Sequence, residues 1–344
     1  MKLFSRRNLL AAGILCAAVL AVLPWRSFEQ PVSPPPAAAP DTAATERCKV
    51  GIFFVDLHQF EIQKRSFNAN FWLWSVCASA QRQPLKVLEF VNANSTTGTL
   101  DQTTAREGVT WSQRKIDGNF RQDWDVRDFP FDRHVLSVTM EEGVDDTRAF
   151  NYDADTDRSG YDKNIDVPGW RVTGFKLVPS ERRYDTTFGD PSLPPNASAH
   201  YSRLQAEISV VRTNTFTSFF KMASVVYVAA TLALLSFLFH LDSGGSFGSR
   251  ISFLAGSLFA TVINMRIAST ELGSNDGLTL IDLIHITALI LIISATVLTI
   301  IADRQLETGK KQSVRRFDFR NAVVCATLFI TANIALITYA AIRG

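Results

Sequence analysis

Three groups of residues have the types and spacing to do chemistry. Asp153-Ala154-Asp155-Thr156-Asp157 sets three carboxylates on alternating positions, with Gly160 and Asp162 following. Oxygen-rich clusters of this kind suit Ca²⁺, which makes Asp153, Asp155 and Asp157 candidate metal ligands. Arg158 stands where an EF-type loop requires Gly, so that motif fails and a solvated acidic loop is the competing reading. Tyr184, Phe188 and Tyr201 lie in the long segment from Arg183 to Tyr201. They could cage a cation or amine, or be ordinary surface and core residues. The third group is titratable. His134 follows Asp132 by two residues, and histidine changes charge in the range of an acid sensor. Asp282 and His285 share one face of an apolar run, where ionisable groups are uncommon. Each of these three could equally be a satisfied structural polar group.

No Ser-His-Asp, Cys-His or Gly-rich phosphate motif stands in a context that would support it, so no enzyme and no cofactor is expected. The formal charge is +2 over 344 residues, which gives no reason to expect nucleic acid as a partner. The elements that hold the candidate residues change character near Arg212. From Lys49 to Arg212 the pattern is short alternating strands: Val50, Ile52 and Phe54; Phe67, Ala69, Phe71 and Leu73; Leu136, Val138 and Met140; Leu204, Ala206, Ile208 and Val210. Many strands without helical periods predict a sandwich of two sheets with these residues inside.

After Arg212 come four apolar segments. Met222 to His240, Leu278 to Ala302 and Ala322 to Ile342 are each long enough to span a bilayer. Ile251 to Ala268 is more polar, with Ser252, Ser257, Thr261, Asn264 and Arg266, and should face protein or water. Arg304, Lys310, Lys311, Arg315, Arg316 and Arg320 place the loop 303–320 in the cytoplasm, so the segment around Glu271 to Gly277 and the β-rich half lie outside. At the N-terminus, Lys2, Arg6 and Arg7 precede an apolar run from Leu9 to Leu23. That reads as a signal sequence, of ordinary or twin-arginine type, or an uncleaved anchor over residues 1–30. A Pro/Ala-rich linker is expected over 31–47, the sandwich over 48–212 and the four helices over 213–344.

Two cysteines, Cys48 and Cys77, fall in the exported part and can pair in an oxidising compartment or remain half-buried thiols. They flank a hairpin with its turn near Gln63-Lys64-Arg65. In that register a bridge requires a bulge or offset.

Val50-Gly51-Ile52, Phe71-Trp72-Leu73, Glu89-Phe90-Val91-Asn92, Phe129-Pro130-Phe131-Asp132 and Gly169-Trp170 occur in this order before the four apolar segments. In that arrangement the chain resembles bacterial members of the pentameric ligand-gated ion channels, the Cys-loop receptor superfamily. Animal relatives close the Phe-Pro-Phe-Asp loop with a disulfide; here Gln122 and Leu136 occupy those positions, as in bacterial members, which lack the bridge.

The resemblance implies a homopentamer in the bacterial inner membrane, with a periplasmic domain gating a pore through the lipid bilayer for inorganic ions. The agonist would be an unidentified small molecule or protons. It implies a coupling role for Glu61, Phe129, Pro130, Phe131, Asp132 and Arg212, with Asp132 facing Arg212. On the second apolar segment, Ile251, Ala255, Leu258, Val262, Met265 and Ser269 form one stripe at helical spacing, and Ser257, Thr261 and Asn264 a more polar one roughly 100° away. The resemblance selects the first as pore-lining, with Leu258 at the gate. Cation-selective relatives carry a carboxylate at the inner mouth, where this chain has Phe247-Gly248-Ser249-Arg250; a ring of Arg250 would favour anions if it faced the conduit. The family's first-helix proline is absent, with Ser224 near its place, and the loop from Ala78 to Lys86 is short. Those departures support the alternative of a non-conducting periplasmic sensor or scaffold that retains the fold.

Overall fold

A computed structural model describes residues 45–79, 82–191, 194, 196–239, 241, 246–273, 277–307 and 311–344. The expected signal or anchor, and the linker up to residue 44, lie outside the described residues. These residues form two compact units: one contains the chain up to Asp125 and Arg133–Thr213, the other Val126–Asp132 and Asn214–Gly344.

The first unit is a pair of sheets. The strands are β1 (Glu46–Glu61), β2 (Ser66–Cys77), β3 (Leu88–Phe90), β4 (Ala93–Arg106), β5 (Val109–Arg121), β6 (Arg133–Asp146), β7 (Phe150–Ala154), β8 (Gly160–Tyr161), β9 (Trp170–Tyr184) and β10 (Ala199–Arg212). One sheet has the order β4-β5-β2-β1-β7 with β8 also on β1; the other runs β3-β6-β10-β9. Strand β1 begins at Glu46, so the last residues assigned to the linker already pair.

Period-2 patterning decides which face is buried. Val50, Ile52, Phe54, Phe67, Ala69, Phe71, Leu73, Leu136, Val138, Met140, Leu204, Ala206, Ile208 and Val210 are all buried, as the alternation predicts. Rings bridge the sheets: Phe54 lies 6.2 Å from Phe175, Phe71 5.8 Å from Phe90 and Phe90 5.9 Å from Phe120, centroid to centroid. These tilted and edge-on contacts suit the ring quadrupole. Gly51 is needed for packing, because a Cβ there would come within 2.3 Å of the Trp74 ring.

The hairpin turn falls where the sequence predicts, and Cys48 and Cys77 are joined in a disulfide. Beside the turn Glu61 faces Ser66, and an unbroken register would set Cys48 opposite Ser79. Two irregularities, between Phe54 and Asp56 and between His58 and Glu61, bring Cys48 opposite Cys77. Bulges insert a residue in one strand without a partner, and two of them supply the offset the bridge requires.

The second unit holds four helices long and apolar enough to cross a membrane: α1 (Thr215–Leu235, continued by a short 3-10 turn, Ser236–Leu238), α2 (Ser246–Leu272), α3 (Leu280–Glu307) and α4 (Lys311–Arg343). α2 and α4 extend beyond their apolar runs at both ends, while α1 starts ahead of Met222 and α3 continues past Ala302, because helical hydrogen bonding continues through polar flanks. Thr279 and Asp282 cap the start of α3 reciprocally: Thr279 N donates to Asp282 Oδ2 at 2.9 Å and Asp282 N to Thr279 Oγ1 at 3.1 Å. Buried polar ties hold the bundle. Tyr227 on α1 donates to Asn333 Oδ1 on α4 (3.1 Å), and Asn333 Nδ2 donates to Thr287 Oγ1 on α3 (3.2 Å). Apolar packing alone distinguishes poorly between helix partners in lipid, so such ties fix who packs on whom.

Candidate functional site

Helix α2 presents two different faces. Arg250, Leu254, Ser257, Thr261, Asn264, Ala268 and Leu272 are buried inside the four-helix unit. The polar stripe of this helix therefore points into its own bundle. Thr261 Oγ1 donates to Ser257 O at 2.8 Å, and Asn264 Nδ2 donates to Met222 O on α1 at 2.8 Å and lies 2.9 Å from His285 Nε2 on α3. His285 Nδ1 lies 2.7 Å from Ile281 O, so both ring nitrogens have partners. Asp282 and His285 are thus satisfied structural groups. Leu258, Val262 and Ser269 are exposed, while Ile251, Ala255 and Met265 are half-buried on the flank of the packed face.

Arg250 is fully buried. Its Nε donates to Phe239 O at 2.8 Å, and its guanidinium grips Asp318 of α4, with Nη2 to Oδ2 at 2.6 Å and Nη1 to Oδ1 at 3.2 Å. A planar fork meeting a carboxylate in two parallel bonds is the strong form of such a pair. The condition under which Arg250 would set ion preference is not met: its charge faces the bundle and is neutralised there.

The Phe-Pro-Phe-Asp loop belongs to the helical unit. Phe129 N donates to Val126 O (3.0 Å) and Phe131 N to Asp128 O (2.8 Å), folding it into consecutive turns around a cis Phe129-Pro130 bond. Leu280 N at the head of α3 donates to Arg127 O at 2.8 Å. Phe131 packs against a buried cluster that includes Ala223, Val226, Leu280 and Ile284, and Arg343 Nε of α4 lies 3.4 Å from Asp128 Oδ2. Phe129 and Asp132 are buried. The loop therefore touches α1, α3 and α4.

Within the sandwich unit, Gln122 Nε2 donates to Val135 O at 3.2 Å. A hydrogen bond thus spans the position where the resemblance leads one to look for a disulfide. Phe60, Trp124, His134 and Trp170 form an aromatic cluster, with His134 4.9 Å from Trp124 and 5.4 Å from Trp170. The Arg212 guanidinium lies 4.1 Å above the Trp170 ring. Glu61 pairs with Lys64 within the hairpin turn at 2.8 Å. Phe60 and Trp124 carry an aromatic signal in the sequence, but nothing local links residues so far apart in the chain.

Tyr184, Phe188 and Tyr201 are brought together, with centroids 5.2, 6.0 and 6.2 Å apart pairwise. Phe188 is exposed. The patch also has charged members that the sequence did not disclose. Glu141 accepts from the Tyr184 hydroxyl at 2.8 Å and from Arg203 Nε at 2.8 Å, while Arg182 stands 5.4 Å over the Tyr184 ring. Burial, and then the Glu141 hydrogen bond, push the Tyr184 phenol above its ordinary range. Next along β6, Glu142 is buried and accepts from Tyr152 Oη at 3.1 Å, and desolvation raises its carboxyl.

The acidic run does not assemble a metal site: among the described residues no group of three or more His, Cys, Asp or Glu side chains stands together as ligands. Asp153 is held by Arg47, and its carboxyl is lowered by that hydrogen bond. Asp155 is buried and accepts from Trp74 Nε1 at 3.0 Å, while Asp157 is exposed. Alternate positions of a strand share a face, but β7 ends at Ala154 and residues 156–158 form a turn, so the three carboxylates do not stay on one extended segment.

A scan against protein-family models finds no match to this chain, and a search of curated proteins finds none. The architecture is that of a membrane protein with a sheet domain followed by four helices long and apolar enough to span a bilayer, which is consistent with the layout of the pentameric ligand-gated channels.

Proposed function

We propose that the chain is one subunit of a homopentameric ion channel of the bacterial inner membrane, with its sheet domain in the periplasm, and that α2 lines the pore. The observation that carries this reading is the facing of α2. A helix spanning lipid usually buries its polar groups, and α2 buries Ser257, Thr261 and Asn264 inside its own subunit. Of the Ile251-Ala255-Leu258-Val262-Met265-Ser269 stripe, Leu258, Val262 and Ser269 are left outside that packing and Ile251, Ala255 and Met265 lie half-buried at its edge. Several copies around an axis would bring Leu258 and Val262 together as an apolar constriction that closes by dewetting. The loop Val126–Asp132, seated on α1, α3 and α4, supports a role in carrying sensor-domain changes to the helices.

A second reading, a non-conducting periplasmic sensor or scaffold, is favoured by one feature: Ile251, Ala255, Leu258, Val262 and Met265 offer no hydroxyl or charge to a passing ion. Planar-bilayer recording separates the two. Leu258→Thr should ease wetting and raise resting current, and the same change at Ser257 should not. Cysteines introduced from Ile251 to Ser269 in a background without the native cysteines should react with a water-soluble thiol reagent at 258 and 262. Reaction at 257, 261 and 264 instead would overturn this facing. A stable monomer by native mass spectrometry in mild detergent would overturn the assembly.

A further inference from the structure

If α2 lines a pore, the pore's charge preference follows from which of its charges reach that face. Among the described residues α2 carries three ionisable side chains: Arg250, Arg266 and Glu271. Arg250 is excluded, being fully buried and neutralised by Asp318. Glu271 is exposed but lies nine residues beyond Val262, which at about 100° per residue turns it roughly 180° from the conduit stripe. Arg266 follows Val262 by one turn and sits only about 40° from it around the helix. It is exposed and forms no ion pair among the described residues. The basic residues at the opposite end, Arg304, Arg315, Arg316 and Arg320, stand on α3 and α4 and not on this helix.

From this geometry, and resting on the channel reading above, we propose that Arg266 is the charge-selecting residue of the pore and that the conduit passes small inorganic anions in preference to cations. The physical case has three parts. A guanidinium without an ion pair among the described residues is unfavourable against lipid at this depth, so it is placed toward water or protein, and its position one turn beyond Val262 puts water of the conduit within its reach. Five copies around one axis would superpose their fields in a narrow passage bounded by low-dielectric walls, where a ring of fixed charge concentrates counter-ions. Below them, Met265, Val262, Leu258, Ala255 and Ile251 add no charge that could reverse the preference. Among the described residues of α2 the discrimination is therefore set at one ring, toward the Leu272 end of the helix.

The test is the reversal potential of the purified protein in planar bilayers under a steep potassium chloride gradient, recorded for the wild type and in a Leu258→Thr background that opens more readily. The expected wild-type reversal lies toward the chloride equilibrium potential. Arg266→Gln should move it toward zero, Arg266→Glu should carry it to the potassium side, and Glu271→Gln should leave it in place. A wild type that prefers potassium, or an Arg266→Gln reversal equal to the wild type's, overturns the assignment while leaving the channel reading intact. Absence of current in both wild type and Leu258→Thr overturns the channel reading, and the assignment falls with it.

Discussion

Replacing Asp318 by Asn removes one charge from a pair that has almost no water around it. The Arg250 side chain is 0 % exposed and that of Asp318 9 %, with contacts at 2.6 and 3.2 Å. Asn keeps the size of the carboxylate and one acceptor, but leaves a buried guanidinium whose remaining partners are backbone carbonyls, Phe239 O at 2.8 Å and Phe237 O at 3.4 Å. Breaking a buried pair from one side costs about 3–5 kcal/mol, because the surviving charge stays desolvated. At about 1.4 kcal/mol per tenfold, this lowers the folding equilibrium by roughly two to three and a half powers of ten. Equilibrium unfolding of the purified protein in mixed micelles, followed by circular dichroism, should read that loss directly. Removing both charges with Arg250→Met and Asp318→Leu should be far milder than Asp318→Asn alone, since a well-packed apolar pair of similar volume is often neutral. A loss below about 1 kcal/mol for Asp318→Asn, the range of exposed pairs, would refute the claim that this pair is dry.

Cys48→Ser with Cys77→Ser should cost about 2–4 kcal/mol in thermal unfolding under oxidising conditions, by releasing the loop between them, and the wild type should match the double variant after reduction and denaturation. Gly51→Ala should destabilise the sandwich and alter tryptophan fluorescence, because the new methyl meets the Trp74 ring at 2.3 Å. A fluorescence spectrum equal to the wild type's would show that the ring had not moved. Burial raises the Glu142 carboxyl above its unfolded value, so the native state binds the proton more tightly and stability falls as pH rises through the native value. Glu142→Gln should therefore flatten that decline, as read from thermal melts at a series of pH values; an unchanged slope would remove Glu142 as its source.

Local patterns carried most of the architecture. Period-2 alternation in the first half and long apolar runs in the second determined the elements, their buried residues and the point near Arg212 where one gives way to the other. These signals are legible because the solvent preference of each side chain is expressed along its own strand or helix. Tertiary structure decided everything that depended on a distant partner. The sequence allowed Cys48 and Cys77 to pair or not, and the two bulges in β1 decided it, because a bulge is a property of the pairing rather than of one strand. Arg250 read equally well as a pore charge or a packed one until Asp318, 68 residues away, took its guanidinium. Asp153, Asp155 and Asp157 read as one acidic cluster, yet Arg47 and Trp74 drew two of them to separate partners. The two stripes of α2 differ by one residue's rotation, which hydrophobicity alone does not resolve. Met222 and His285, whose polar atoms satisfy Asn264, turn the polar stripe into the bundle.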